Sequence, residues 1–195
     1  MDGQYTSAAV ASAMRAYDDV LLDAIFDTNK IGKNGTDTVN FDTTNMRVAS
    51  GSAGMTVEKM LEMREKLVKQ EVDLDAEKPN IALTEIQMRN LMSDILVTSG
   101  DFNDKKVLPK GVIEEYVGFN IIEFSSNRLT KLASSERRCP VWVRSGLMLA
   151  KYDSLSTNIR VAEEYRGNPI EVYGMFTLGA TRLDEKKCGE ILCAE

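Results

Sequence analysis

The chain has 195 residues, 43% of them hydrophobic and 28% charged, a balance typical of one folded domain or two small lobes. The formal net charge is −6 and there is no histidine, which argues against a dedicated nucleic-acid binder, a histidine-based nucleophile system and a protein zinc site. No apolar run approaches the ~20 residues that cross a bilayer. Met1 is followed by Asp2 and Gly3 rather than by a signal peptide, so we expect synthesis in the cytoplasm.

The N-terminal part of the chain is predicted to be one long helix followed by a polar connection. Apolar side chains recur every three or four positions in residues 5–27, which predicts an amphipathic helix with Thr6 or Ser7 as its N-cap. Residues 28–54 are rich in Gly, Asn, Thr and Asp, so we expect mostly loop there, with a short strand at residues 39–41 and a mobile or contact-dependent backbone. The apolar stripe of the helix consists of Val10, Met14, Tyr17, Leu21 and Ile25.

Two further helices flank a short strand in the middle of the chain. A helix is predicted over residues 56–72 with Thr56 as its N-cap, and residues 81–83 are predicted to form a buried strand. Thr84 and Gln87 have the spacing of a capping box for the next helix. The apolar stripes of the two helices are formed by Met60, Leu61, Leu67 and Val68, and by Met88, Leu91, Met92 and Ile95.

After Asp101 the apolar pattern changes to a period of two, which is typical of strands. One strand is predicted at residues 117–124. Strands at residues 141–143 and 147–150 are expected to pair around a turn at Ser145-Gly146, and another strand is expected at residues 159–162.

The C-terminal segment contains the longest alternation in the sequence. Residues 167–169 (Gly-Asn-Pro) interrupt the regular structure. Residues 170–181 then alternate two sets of side chains, which predicts a long strand. A charged turn at residues 182–187 leads to a last short strand at residues 189–193. The mixture of helices and strands predicts an α+β fold.

No motif of the sequence predicts catalysis, so we expect no enzyme activity and no catalytic, cofactor-binding or metal-binding residues. Residues 32–36 superficially resemble a phosphate loop, but the lysine precedes the second glycine, and a plain turn explains them better. Adjacent carboxylates point apart on a helix or strand, so they do not face each other across a cleft. These pairs are Asp18-Asp19, Glu114-Glu115 and Glu163-Glu164.

The remaining candidate groups are basic residues and cysteines. The nearest approach to a basic patch is formed by Arg137, Arg138, Arg144 and Lys151, which we interpret as a solvated face. Cys139, Cys188 and Cys193 are interpreted as buried small apolar groups in a reducing cytosol. Cys188 and Cys193 are five positions apart, so they should face opposite sides of a regular strand.

The C-terminal segment resembles the C-terminus of major capsid proteins of tailed double-stranded DNA bacteriophages. The residues that carry this resemblance are Thr177-Leu178-Gly179-Ala180-Thr181-Arg182, Glu185-Lys186, Glu190-Ile191 and Cys193-Ala194-Glu195. Two upstream segments resemble the same family in the same order. Residues 11–24, with Arg15 and Asp18-Asp19, are similar to the end of its spine helix, and residues 116–123 are similar to a strand of its axial domain.

The resemblance implies the phage shell fold, with a peripheral lobe of a spine helix and long strands and an axial lobe of mixed α/β structure. Residues 1–53 and 152–195 would form the peripheral lobe, and residues 54–151 the axial lobe. It further implies an icosahedral virion shell of pentamers and hexamers, together with possible scaffolding, portal or decoration proteins. The shell would enclose DNA without sequence-specific binding and without a membrane or cofactor.

The sequence departs from this family at one point, and two other functions remain as alternatives. Family members carry an N-terminal arm and an extended loop before the spine helix, whereas this sequence starts inside or just before that helix. We therefore expect the chain alone to be monomeric or weakly associated. The alternatives are an encapsulin-type compartment shell, which shares the fold, and a small cytosolic α/β enzyme, which would need a deep pocket with perturbed titratable groups.

Overall fold

The chain folds into a six-stranded central sheet flanked by helices and a separate two-stranded ribbon. The computed structural model describes residues 2–94, 113–168 and 170–195. The predicted α+β class is confirmed. In chain order the elements are α1 (Asp2–Phe26), β1 (Asn29–Ile31), β2 (Asp37–Val39), β3 (Arg47–Val48), α2 (Val57–Lys69), β4 (Asn80–Thr84), α3 (Glu85–Ser93), β5 (Glu115–Tyr116), β6 (Phe119–Phe124), β7 (Glu136–Trp142), β8 (Leu147–Val161), β9 (Ile170–Arg182) and β10 (Cys188–Ala194).

The central sheet has the strand order β3-β10-β7-β4-β6-β5. The pairs β3–β10 and β4–β6 are parallel, and the other neighbours are antiparallel. The last strand of the chain therefore lies inside the sheet, where every residue from Cys188 to Ala194 pairs with β7. It is the most completely buried strand of the described chain.

Side chains alternate between the two faces of the central sheet. On one face, α2 covers the larger core, to which Ile81, Leu83 and Val141 contribute. On the other face, the C-terminal half of α1 packs Leu22 and Ile25 against a smaller cluster. The sequence correctly predicted opposite faces for Cys188 and Cys193, since the first lies in the smaller cluster and the second in the larger one.

The helix α1 agrees with the prediction in extent but only partly in its buried face. Ile25 is fully buried, whereas Val10 and Met14 of the predicted stripe are exposed. The prediction of Thr6 or Ser7 as N-cap is wrong, because both residues lie inside the helix. A periodic apolar stripe marks the face of a helix that another element could cover. Here the central sheet covers only the C-terminal half of α1.

The helix α2 begins where the sequence predicted. Thr56 is the N-cap, and its hydroxyl accepts a hydrogen bond from the backbone N–H of Lys59 at 3.4 Å. The predicted stripe is half wrong, because Met60 and Leu67 are buried whereas Leu61 is 50% and Val68 56% exposed. Adjacent helical positions point about 100° apart, so when Met60 and Leu67 face the sheet, their neighbours Leu61 and Val68 point away from it.

The predicted capping box of α3 is wrong. Thr84 precedes the helix, but its hydroxyl makes no capping hydrogen bond. The side-chain amide of Gln87 instead donates to the Glu195 carboxylate at 3.0 Å. The helix ends at Ser93, and Ile95 of its predicted stripe lies outside the described residues.

The predicted pairing of residues 141–143 with residues 147–150 is also wrong. These segments belong to β7 and β8, which lie in different sheets because a 3-10 turn (Arg144–Gly146) redirects the chain. The predicted strand at residues 159–162 is the end of β8. The strand predicted at residues 117–124 is confirmed over Phe119–Phe124, and positive φ values at Val117 and Gly118 (52° and 82°) close a hairpin with β5.

Residues 28–54 contain more structure than the predicted loop. β1 and β2 pair around the 32–36 turn, in which Gly35 N–H donates to the Gly32 carbonyl at 3.2 Å, so the interpretation of this motif as a plain turn is confirmed. β3 enters the central sheet, and Met46 and Val48 lie in the larger core. The predicted short strand occurs two residues earlier, at Asp37–Val39.

Candidate assembly surface

The strands β8 and β9 form the ribbon, a long antiparallel pair that is separate from the central sheet. Twelve Cα pairs link the strands from Leu147↔Arg182 to Val161↔Ile170, with irregularities around Asp153. Among the described residues, each strand pairs only with the other. Both outer edges of the ribbon therefore present backbone N–H and C=O groups that another strand could use.

One face of the ribbon packs against α1. The rings of Tyr17 and Phe176 stack with centroids 5.6 Å apart and an interplanar angle of 12°. The ammonium of Lys151 lies 4.9 Å from the Tyr17 ring centroid, within cation–π range. These contacts fix the direction of the ribbon relative to the helix.

The opposite face and the far end of the ribbon expose large apolar side chains. Tyr152 is 92% exposed, and Tyr173 and Met175 lie on the β9 face that points away from α1. A monomer gains nothing from apolar side chains held in water, so a cluster of this kind marks a surface for another molecule. The exposed apolar residues of the ribbon are Met148, Tyr152, Val161, Ile170, Tyr173 and Met175.

A second, smaller apolar patch lies on the outer side of α2. Leu61 and Val68 are two helical turns apart on one face, and they line an open groove of about 450 Å³ with Arg64, Glu65 and Lys69. A larger groove of about 550 Å³ lies between α1 and β6, with Trp142 and Arg128 in its wall.

Arg182 joins the ribbon to the rest of the molecule. Its guanidinium donates to the carbonyls of Ala24 and Ile25 at the C-terminal end of α1, where a positive charge is favoured. The same group donates to the Glu185 carboxylate at 2.7 Å, and the backbone carbonyl of Arg182 accepts from Asn29 at 3.1 Å. The side chain is fully buried, so the end of β9 is fixed to α1 and β1.

Two buried carboxylates hold the last strand in the sheet. Glu190 is fully buried between the guanidinium groups of Arg47 and Arg138, the latter at 2.5 Å. Arg138 also lies 3.6 Å from the centroid of the Phe26 ring. Such a carboxylate is stable only because two cations surround it.

Glu195 is the second carboxylate of this kind. Arg137 donates to both carboxylate oxygens, at 2.9 and 2.7 Å, and Lys131 lies 3.3 Å away. These donors, Arg137 first, lower the pKa of Glu195 to about 2, and the carboxylate in turn raises the pKa of Arg137. Glu190 and Glu195 both belong to the segments that resemble the capsid C-terminus.

The interpretation of the basic residues as a solvated face is wrong for two of the four. Arg137 and Arg138 are largely buried ion-pair partners of the last strand, and Lys151 lies against Tyr17. Arg144 is exposed. The sequence did not reveal these ion pairs, because their acidic partners lie more than 50 positions away along the chain.

At least one member of each carboxylate pair contacts a cation. Arg128 contacts Asp19 at 2.5 Å and Asp18 at 3.5 Å, which ties α1 to the loop after β6. Glu115 pairs with Lys78, and Glu164 with Arg160. Within the described ranges, no three His, Cys, Asp or Glu side chains come together in a way that could hold a metal ion.

The family described as "Phage capsid protein" matches residues 2–195. No curated protein matches the sequence. Among the helices in the part of the chain that the structure describes, none is long and apolar enough to cross a membrane.

Solved structures share the fold at low sequence identity, and they confirm the predicted phage shell fold. A chain of Mycobacterium phage Che8 is similar with a TM-score of 0.67 and 14% identity, over 96% of this chain and 61% of that one. The capsid of cyanophage P-SCSP1u is similar with a TM-score of 0.65 and 14% identity, over 100% of this chain and 66% of that one. The mature capsid of bacteriophage PhiM1 is similar with a TM-score of 0.63 and 10% identity, over 97% of this chain and 64% of that one. The chain thus spans about two thirds or less of the length of these proteins.

Proposed function

This chain belongs to the phage capsid protein family, and we propose that it is the major capsid protein of a tailed bacteriophage, whose copies build the icosahedral head around the double-stranded DNA genome. Its role is structural rather than enzymatic, and its location is the virion after synthesis in the host cytoplasm. The family description favours a phage head over an encapsulin-type compartment. The single structural observation that supports the proposal best is the exposed apolar surface of the ribbon.

The partner of this surface is another copy of the chain. A shell subunit must contact several neighbours, and contacts related by rotation close into rings. The ribbon offers Tyr173 and Met175 on one face and free strand edges on both sides, which suits contact with a neighbouring subunit. In the proposed lobe description, residues 1–53 and 152–195 form the peripheral lobe, which includes α1, β9 and most of β8, and residues 54–151 form the axial lobe around five-fold and six-fold axes.

The charge of the chain suits a container for DNA. The net charge is −6, and Arg137, Arg138 and Arg182 are engaged inside the molecule. A wall of the same sign as the phosphate backbone would keep packed DNA from adhering to it. We therefore propose that the shell encloses DNA without reading its sequence.

Self-association of the purified chain tests the proposal. We expect the mean mass measured by light scattering to rise with concentration between about 1 μM and 1 mM, the range in which weak specific contacts saturate. The double substitution Tyr173→Ser with Met175→Ser should abolish the rise. Ile31→Ser, at an exposed apolar position on β1, is the control and should leave it unchanged.

Negative-stain microscopy at the highest concentration should show small rings at most for the unsubstituted chain, because we expect this chain alone to associate only weakly. A monomer across the whole concentration range would contradict the proposed contact between copies through the ribbon. Association that is equally strong in the double variant would leave self-assembly standing but would remove the ribbon as its surface.

A further inference from the structure

Two of the three cysteines lie side by side in the central sheet. Cys139 of β7 and Cys193 of β10 are fully buried in the larger core, and their Sγ atoms are 3.9 Å apart. The register places Cys139 opposite Ile191 and Cys193 opposite Arg137, so the two thiols are diagonal neighbours on one face. We propose that they form a dithiol that closes to an intramolecular disulfide between β7 and β10 when local opening of the sheet admits hydrogen peroxide.

A buried ammonium group lies near the two thiols. Lys59 of α2 is 8% exposed, and its Nζ donates to the carbonyls of Ala53 at 2.7 Å and Leu192 at 3.0 Å. Both acceptors are neutral, so the positive charge remains available to stabilise a negative charge close by. Leu192 is the residue before Cys193, which brings this charge close to the last strand.

The two thiols differ in the chemistry that they favour. The Cys139 thiol donates to the sulfur of Cys193, and this hydrogen bond, opposed by burial and aided by the charge of Lys59, lowers the pKa of Cys193. The same hydrogen bond and burial raise the pKa of Cys139. Because the thiolate is the nucleophile, Cys193 is the attacking sulfur and Cys139 the one that resolves the intermediate.

The reaction consumes one hydrogen peroxide molecule. The Cys193 thiolate attacks one peroxide oxygen, the O–O bond breaks, and hydroxide leaves, which gives a sulfenic acid on Cys193. Cys139 then attacks the Cys193 sulfur as its proton departs, the S–O bond breaks, and the second oxygen leaves as water. In total, two thiols and one peroxide give one disulfide and two waters, and the two sulfurs together lose two electrons.

The disulfide would fix the last strand covalently. A bond length of about 2.05 Å requires the two sulfurs to approach each other by local adjustment of the strands. The bond would close a loop from β7 through the ribbon to β10, and cross-links of this kind raise resistance to unfolding. It would act on the same strand that Glu190 and Glu195 hold by charge.

Cys188 supplies an internal control. It is fully buried on the other face of the central sheet, where burial raises its pKa to about 12. Its Sγ lies 3.8 Å from the carbonyl oxygen of Gly146. Burial alone therefore does not distinguish Cys188 from the other two, whereas the facing thiol and the nearby ammonium do.

Mass spectrometry of the purified full chain tests the proposal. The reduced, folded protein is exposed to a small molar excess of hydrogen peroxide at pH 7, and free thiols are then alkylated in denaturant. We expect the loss of two hydrogen atoms, one cross-linked peptide pair containing Cys139 and Cys193, and complete alkylation of Cys188. Cys188→Ser should behave like the unsubstituted protein, and Cys139→Ser should leave a sulfenic acid on Cys193 that dimedone traps.

The unsubstituted protein decides the outcome, so folding of the variants is checked by circular dichroism but is not essential. Full alkylation of all three cysteines after peroxide treatment would overturn the proposal, as would a cross-link through Cys188. A disulfide that forms only after urea unfolding would also overturn it. The chemistry requires only a folded monomer, so its result is independent of shell assembly.

Discussion

The central sheet and the ribbon treat charge and apolar surface in opposite ways. The sheet buries carboxylates and guanidinium groups, as at Glu190 and Arg137. The ribbon leaves Tyr152 and Tyr173 in water. Buried charges are uncommon and are tolerated only when they are paired, and large exposed apolar clusters are uncommon in monomers.

The contrast shows that the two regions serve different ends. The buried charged groups of the sheet find their partners within the chain. The ribbon has one face satisfied by α1 and another that contacts only solvent within this chain. A surface of this kind becomes favourable once a second molecule covers it.

Removal of the charge on Glu190 should produce the largest effect. Glu190→Gln leaves Arg47 and Arg138 without their carboxylate, and breaking a buried ion pair in this way costs about 3–5 kcal/mol of unfolding free energy. The measurement is urea unfolding at pH 7. Glu171→Gln, which breaks an exposed ion pair with Arg160 on the ribbon, is the control and should cost about 0–1 kcal/mol. Equal losses would remove the distinction between the two regions.

Substitution of Arg182 should have the next largest effect. Arg182→Lys removes the planar fork that donates to the end of α1 and to Glu185, at a cost of roughly 2 kcal/mol. Arg160→Lys is the control, because Arg160 contacts two carboxylates but is exposed on the ribbon. Thermal and urea unfolding of both variants should separate them clearly. An unchanged Arg182→Lys protein would show that this junction does not stabilise the fold.

The Glu195 ion pair should make part of the stability depend on pH. The folded pKa of Glu195 is lowered from 4.5 to about 2, so the stabilisation is fully present above pH ~4.5 and is lost as the pH falls toward ~2. Because Lys131 is partly exposed and solvent screens the ion pair, we expect the charge of Glu195 to contribute about 2 kcal/mol to the free energy of unfolding. The difference in unfolding free energy between the unsubstituted chain and Glu195→Gln should shrink through this window. A difference that is constant with pH would assign the stabilisation to packing rather than to charge.

The smallest effect on stability is expected at the outer face of the ribbon. Tyr173→Thr should change the unfolding free energy by no more than about 0.5 kcal/mol, because the side chain is more than half exposed. Phe176→Thr, three positions along the same strand but stacked on Tyr17, should cost roughly 1–2 kcal/mol. Urea unfolding of dilute protein measures both. A large loss for Tyr173→Thr would mean that its ring packs within the monomer.

Local patterns predicted the regular elements well. The alternation in residues 170–181 gave the strand β9 almost to its ends, and the apolar spacing of residues 5–27 gave α1. Thr56 was correctly identified as a helix cap because that contact spans only three residues. The C-terminal motif also predicted the family, and its Arg182, Glu190 and Glu195 have partners inside the fold.

Local sequence patterns gave wrong predictions wherever the structure depended on a distant segment of the chain. Nothing near residues 141–150 indicates that β7 pairs with β10 and β8 with β9, so a local hairpin was the natural but wrong prediction. The thiol contact between Cys139 and Cys193 joins residues 54 positions apart. Such contacts follow from strand order, which local periodicity does not encode.

The sequence by itself determined which segments are helices and strands, because the backbone period and the caps depend on neighbours a few residues apart. It also determined the family, through the order of motifs along the chain. Only the tertiary structure decided which apolar residues are covered and which charges are buried. Leu61 and Tyr173 are apolar and yet exposed, and Glu190 is charged and yet buried, because burial depends on which elements pack together and on the partners that this packing brings within reach.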